Sequence, residues 1–595
     1  MIDTAARRRL GFAAAAVLLT AADTYVVVLA LPAIIGDLGI GLDRLQAATP
    51  IVSGFLLGYV VVLPLLGRLS DLIGRYPVFL GCLAIFAAGS LTTASAHELS
   101  VAVAGRALQG LGGGGMVPVT LALVADMWPP QRRGIPLGVV GAVQELGSVL
   151  GPLYGAAILT VSTWRTIFWV NLPLSAVVAL GLVASRPRVK RSSADVGLPS
   201  RRFNDWIGIA LLTIAVTAGA LSISAPGQLV DNEAFGTAFV PLAGTTWLTP
   251  LLVAAVTAAA AFVAWEVASP AGVRALVPTK RLAVIVNDLD WLGAVLLAAV
   301  LAAVVIAFST ADPSRQAISP AAAWLLPIAA LCVALFVARE RRTPHPLVEL
   351  SAFRNRSASG ALLTNLATGA ALMAALVDVP ILARVTVYPN SQLGAASVLL
   401  RLLAAVPIGA VAGGWLCQRA GNRGTAALGL AVVSAMFAVM TRWSTTTLAD
   451  PLGASWLHPS DPVLVLAGLG FGLAIAPINA AMLGAVRASL HGLASALVVV
   501  ARMIGMLVGI SVLTAVGLRA FFDAQSHLPA PQALCPRAPL NCAPYNTLVT
   551  AAAVDELRVV FLGASLCAAV AAVTAAALLR GRPAARSLRE ALIVS

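Results

Sequence analysis

The chain has 595 residues, of which 59% are hydrophobic and only 11% charged, with a mean hydropathy of +0.93. A soluble domain carries about a quarter charged residues, so these values exclude a soluble enzyme or binding module and indicate a polytopic membrane protein. The net charge of +14 does not describe a nucleic-acid surface, because most Lys and Arg fall in loops on one side of the topology below, the positive-inside bias.

Runs of about 20 apolar residues mark membrane spans. Six come first, at 10–33, 49–68, 77–95, 99–125, 135–160 and 165–185. Arg7, Arg8 and Arg9 precede a run long enough to span, which reads as a first helix rather than a cleavable leader. A polar, basic break from Arg186 to Asn204 follows, then four spans at 206–226, 247–268, 291–311 and 321–338, and a second basic segment ending at Arg356. Six more spans stand at 358–388, 394–415, 424–443, 462–486, 491–519 and 558–579. The expectation is an all-α protein of about sixteen helices. An N-terminal bundle occupies 1–185, a linker with two tandem hairpins 186–356, and a C-terminal bundle 357–595 with an outer loop at 521–556. An even number of spans puts both termini on the cytoplasmic side.

Within the linker a short pattern recurs. Asp205-Trp206-Ile207-Gly208 opens one hairpin and Asp290-Trp291-Leu292-Gly293 the next, and the second helices end near Glu266 and Glu340. One two-helix insert present twice accounts for this economically. In the outer loop, Cys535 and Cys542 flank a Pro-rich segment on the side poor in positive charge, where a disulfide is expected. The other cysteines lie in or beside spans and read as packing residues.

Ionisable residues inside apolar helices carry the functional signal, because burying a charge in a bilayer costs about 2.5 kcal/mol or more. Asp23, Arg106, Glu145, Asp378 and Arg502 are so placed. Glu145 sits mid-span in the first half and Arg502 mid-span in the second, so they are expected to pair across the bundle interface when the cavity is closed. Opening would leave Glu145 to take up a proton. Asp23 reads as a second proton site or a partner for a basic group. Asp378, just ahead of Pro380, could instead bond backbone groups freed there. Arg384 and Arg401 read as snorkelling residues near the outer surface, and His345 and His491 as solvated loop residues.

After the second span, Gly67-Arg-Leu-Ser-Asp71-Leu-Ile-Gly74-Arg75 combines two glycines for a tight turn with an acid and a base that can bridge helix ends. A weaker copy, Gly414-Trp-Leu-Cys-Gln-Arg419-Ala-Gly421-Asn-Arg423, follows the corresponding span of the second half. On the fifth span Gly147, Gly151 and Gly155 share one face, with Pro152 bending the helix.

These patterns resemble the major facilitator superfamily, in its drug:proton antiporter subfamily with a central helix insert. Gln144–Gly155, Ala375–Leu382, Pro407–Trp415 and His491–Gly509 further resemble the mycobacterial triacylglycerol exporters, a group also described as multidrug efflux pumps and acting with a lipoprotein of the LprG type. The resemblance implies two six-helix bundles and a cytoplasmic gate at Gly67, Asp71, Gly74, Arg75, Arg419 and Arg423. It also implies an antiporter motif at Gly147, Gly151, Pro152 and Gly155, and transport roles for Asp23, Glu145 and Arg502. The second hairpin at 290–340 and the Cys535/Cys542 loop depart from it.

No G-x-x-x-x-G-K-[ST] loop suggests ATP, no cluster has metal-ligand spacing, and no loop carries a nucleophile–base pair. The expectation is a proton-coupled exporter of lipids or other hydrophobic compounds in a bacterial inner membrane, driven by the proton gradient without a cofactor. A broad multidrug:proton antiporter is the alternative within the class. A non-transporting membrane scaffold or receptor is the alternative outside it.

Overall fold

The computed structural model describes residues 4–38, 49–185, 249–268, 273–274, 289–309, 319–343, 346–348, 355–389, 391–449, 458–535 and 542–580, with scattered positions between 203 and 242. The first half contains α1 (Thr4–Asp37), α2 (Thr49–Ile73), α3 (Arg75–Ala94), α4 (Leu99–Met127), α5 (Gly134–Val161) and α6 (Trp164–Ala184). The insert contributes α7 (Pro250–Ala268), α8 (Trp291–Ser309) and α9 (Ala322–Glu340). The second half contains α10 (Arg356–Thr386), α11 (Gln392–Met440), α12 (Ser460–Ala485), α13 (His491–Ser526) and α14 (Ala543–Leu578). Two described strands of two residues each, β1 (Phe203–Asn204) and β2 (Val273–Arg274), pair in parallel within the insert.

The expected all-α polytopic architecture is present. Thirteen described helices are long and apolar enough to cross a membrane. One of them, α11, runs for 49 residues and turns back at Gly421, where φ is 80°, so it supplies two of the expected spans. Most of the segment 206–226, together with Asp205 just before it, lies outside the described residues, and so Asp205 and Trp206 of the first D-W-x-G are not described.

Loop 521–556 differs from expectation. Helix α13 continues to Ser526 and α14 begins at Ala543, with a single turn at Pro531–Leu534 between them. Hydropathy marks where a helix meets lipid, not where it stops, and the Ala-rich stretch after Ala543 favours helix without being a membrane run. Cys535 and Cys542 close the tip in a disulfide, with Cα atoms 5.6 Å apart.

Close helix approach holds each half together. Helix α4 is wedged between α2 and α3: a Cβ at Gly110 would lie 2.1 Å from the Phe55 carbonyl oxygen, and one at Gly112 would lie 2.3 Å from the Phe86 nitrogen. The α5 row of Gly147, Gly151 and Gly155 faces α1, within 2.5 Å of Ala21, Ala22 and Val26 by the same measure. Across the molecule the halves meet at two matched contacts. Gly67 of α2 abuts the Gly492 carbonyl of α13, and Gly414 of α11 abuts the Gly134 carbonyl of α5. The described glycines with positive φ are Gly74 (97°) and Gly421 (80°). Each stands seven residues after its contact glycine, so the two turn motifs are conformational copies related by the half-to-half symmetry.

Helix α8 lies over the seam between α2 and α13. Leu301 and Val305 are buried with Phe55, Tyr59, Val499 and Val500, and the Ser511 hydroxyl donates to the Phe308 carbonyl at 3.4 Å.

The backbone contacts predict a paired outcome. A Cβ at Gly505 would lie 1.9 Å from the Leu366 oxygen, whereas nothing lies within 4 Å of Gly424. Gly505→Ala should therefore destabilise by about 1–3 kcal/mol, and Gly424→Ala should leave stability unchanged or slightly raised. Thermal unfolding of the two variants in detergent checks this.

Candidate functional site

Glu145 lies eleven residues into α5 and Arg502 eleven residues into α13. At about 1.5 Å per residue both are roughly 16 Å from the end that carries the Gly67–Arg75 turn, near the middle of a 30 Å hydrocarbon layer. Arg502 Nη2 donates to Glu145 Oε1 at 2.5 Å, and both side chains are largely buried. The pair joins one half of the protein to the other. Arg502 Nε is buried without a hydrogen-bond partner.

Small cavities flank the pair. One of about 40 Å³ is lined by Thr24, Tyr25, Tyr59, Gln144 and Ser148. Another of about 30 Å³ lies against Asn365 and Asn479. Such volumes admit water but not a hydrophobic cargo molecule; a larger cavity of about 400 Å³ lies between the halves at the motif end, against Gly134 and Gln418.

Asp23 and Arg106 form a second site, entirely within the first half. Arg106 Nη1 donates to Asp23 Oδ2 at 2.5 Å, and both side chains are 1% exposed. Asp23 Oδ1 accepts from Asn171 Nδ2 at 2.8 Å and Gln109 Nε2 at 3.2 Å, and both amides reach Ser90 Oγ. The Arg106 guanidinium also lies 4.3 Å from the Phe55 ring centre. The carboxylate is thus satisfied by α4 and α6 around α1, with Ser90 of α3 holding their amides, which makes this network an organiser of the first half.

The turn motif forms a latch. Asp71 accepts from the backbone amides of Gly492 at 2.9 Å and Leu493 at 3.0 Å, at the start of α13. A carboxylate there satisfies amides that lack a partner within the helix and complements its dipole. Arg75 holds Asp71, donates to Ser70 Oγ at 2.8 Å, and donates through Nε to Asp126 at 2.9 Å. His491 Nδ1 stands 3.9 Å from Asp126. His491 is 4% exposed, which corrects its reading as a solvated residue: α13 begins at this residue, so its ring packs against α4 rather than projecting from a loop.

The second copy makes no such latch. Gln418 occupies the place of Asp71 and Asn422 that of Arg75. Arg419 stacks on the Trp415 ring at 4.0 Å. Arg419 and Arg423 are exposed and form no ion pair among the described residues, so the structure leaves both outside the latch. Asp378 is also apart from the central pair. It is buried on α10 and in no described hydrogen bond, with Glu556 of α14 the charge felt there. Arg384 is exposed, and Arg401 pairs with Asp461 at 3.0 Å. His345 lies outside the described residues.

Residues the sequence reading passed over include Asp126, Tyr25, Tyr59 and Asn365. Asp126 is a lone acid at the end of a span, a signal that was available. The tyrosines and Asn365 look like ordinary helix residues until the helices are assembled.

At the opposite end, Arg165 pairs with Asp37 and donates to the Ala96 carbonyl at 2.8 Å. The guanidinium holds the Asp37 carboxyl below its usual range. A depressed folded-state value means the contact contributes above the ordinary carboxylate range and is lost only as pH falls through the lowered value.

The family profile described as Major Facilitator Superfamily matches residues 13–283. A triacylglyceride transporter of Mycolicibacterium smegmatis is 38% identical over 516 residues, 86% of this chain and 75% of that protein. The triacylglyceride transporter of Mycobacterium tuberculosis is 36% identical over 513 residues, 85% and 82% of the two chains. Among solved structures, the human organic anion transporter MFSD10 (TETRAN) superposes with a TM-score of 0.52 at 14% identity, covering 95% of this chain and 99% of that one.

Arg106→Ala strands the Asp23 carboxylate and should cost about 3–5 kcal/mol, seen as loss of folded protein on size-exclusion chromatography. Protection of the amides at the Asp37 end of α1, taken relative to the intrinsic exchange rate at each pH, should stay constant through neutral pH and fall only in strong acid, and Asp37→Asn should remove that acid step. With the fold, the latch and the sequence relatives in agreement, the chain belongs to the major facilitator superfamily of membrane transporters, as a relative of the mycobacterial triacylglyceride transporters.

Proposed function

We propose that this protein exports triacylglycerol-like lipids or other hydrophobic compounds by alternating access, driven by proton uptake at Glu145. The observation that carries the reading is the Glu145–Arg502 ion pair, buried at mid-depth and shared by the two halves. While both groups are charged, the pair and the Asp71 latch hold the motif end closed. A proton arriving from the opposite end neutralises Glu145 and releases Arg502. Without that attraction the halves rock apart at the motif end, admitting cargo from the membrane. Loss of the proton on that side lets the pair re-form and turns the cargo outward.

The cargo class rests on the printed names of the relatives. In this reading the protein sits in the bacterial inner membrane with the motif end and both termini cytoplasmic, as the charge bias directs. A periplasmic lipoprotein of the LprG type receives the lipid.

Glu145→Gln keeps the shape and an oxygen for Arg502 but removes the titrating charge. Mass spectrometry of envelope lipids should show export reduced to the level of a deletion strain, while the purified variant unfolds within a few degrees of the parent. Full export by Glu145→Gln contradicts the coupling. An unchanged lipid profile with raised drug sensitivity in the deletion strain moves the cargo to drugs.

A further inference from the structure

The D-W-x-G pattern of the second hairpin builds a site that the transport path does not use. Asp290 precedes α8, and its Oδ1 accepts from the Gly293 amide at 3.0 Å and from Arg339 Nε at 2.7 Å. The residue after Arg339, Glu340, ends α9, and its Oε2 accepts from the Val348 amide at 3.2 Å. One oxygen of each carboxylate is thereby used to tie the open ends of the hairpin together.

The other two oxygens are left over. Asp290 Oδ2 and Glu340 Oε1 are both buried with no hydrogen-bond partner, and the residues are 5% and 6% exposed. Both lie beside the same glycine: a Cβ at Gly293 would lie 2.5 Å from Asp290 Oδ2 and 3.0 Å from Glu340 Oε1. The glycine of the motif is required because a side chain there would fill the space between the two acids. Two ionised carboxylates with inward-facing bare oxygens repel one another and carry a desolvation cost, and a single proton between them removes both penalties.

The location gives the site a consequence. Leu289, Ala294, Phe336, Leu347 and Val348 at the hairpin base are buried against Leu490 and Leu493, with Leu65 and Leu72 packed alongside. Leu72 follows Asp71 of the latch, and Leu493 donates one of the amides that Asp71 holds. Among charged groups on the packed elements, Arg339 pairs with Asp290, while Asp71, Arg75 and His491 are committed to the latch. Further basic residues on those segments are Arg68, Arg341, Arg342, Arg487, Arg519 and Arg502, the last paired with Glu145.

We infer that Asp290 and Glu340 share one proton between their facing oxygens, and that this proton-bridged base lets the second hairpin strap the α2–α13 seam beside the latch. Removing the proton drives the two ends of the hairpin apart and loosens the strap. The inference concerns the hairpin alone and does not depend on which cargo is carried.

Infrared spectroscopy of the full chain in lipid nanodiscs tests it. The parent protein should show a protonated carboxylic-acid carbonyl band at neutral pH that Asp290→Asn and Glu340→Gln each abolish and that Glu145→Gln leaves in place. Protection of amides 291–309, taken relative to the intrinsic exchange rate at each pH, should fall on alkalinisation in the parent. It should stay high at every pH in Glu340→Gln, whose amide donates to Asp290 as the proton does. A band unaltered by Glu340→Gln, or protection that does not respond to pH in the parent, overturns the inference. Protection that responds to sodium concentration instead of pH also overturns it, by making the pair a cation site. If Asp290→Asn does not fold, Glu340→Gln alone decides.

Discussion

A guanidinium and a carboxylate, facing one another across two helix bundles in the middle of the hydrocarbon layer, set the terms for the rest of this molecule. Each charge alone is intolerable at that depth, and together they are tolerable only while the bundles stay in register. The Glu145–Arg502 contact is therefore both a fastener and a sensor. Anything that neutralises one partner changes the preferred arrangement of the two halves. The glycine contacts at Gly67/Gly492 and Gly134/Gly414 bring the bundles close enough for the pair to form, with little side-chain bulk resisting separation.

The symmetry of the halves is real but incomplete, and the incompleteness is informative. Both turn motifs keep the contact glycine and the positive-φ glycine seven residues on. Only the first keeps the acid and base that grip the opposing helix. One seam is thus latched by charge and overlaid by α8, while the other, between α5 and α11, is held by backbone packing and bordered by the exposed apolar residues Ile135, Ile408 and Val411. Opening the motif end therefore has to break charged contacts at the first seam and only backbone packing at the second.

Much of this was legible in the sequence because it rests on local constraints. Spans follow from hydropathy. The turn at Gly67–Arg75 follows from fixed spacing, and the expectation of a Glu145–Arg502 pair follows from the cost of leaving either charge alone. Partner choice among several buried charges was not legible. Asp23 and Arg106 are 83 residues apart, and nothing local says that Asn171 and Gln109 complete their network. Arg419 and Arg423 misled because the glycine framework repeats without its acid. The helical extensions around Cys535 and Cys542 escaped because a helix beyond the membrane carries no hydropathy signature. The seam covered by α8 could not be read at all, since an apolar helix has no address until its neighbours are placed.

The central claim is that protonating Glu145 unlocks the halves at the motif end. Spin labels at Arg132 and Gly424, exposed positions on opposite halves of that end, report it directly by pulsed distance measurement in nanodiscs. The account predicts a separation that lengthens as pH is lowered in the parent, and one fixed at all pH values when Glu145 is replaced by Gln. The same pH-dependent lengthening in both proteins would contradict it.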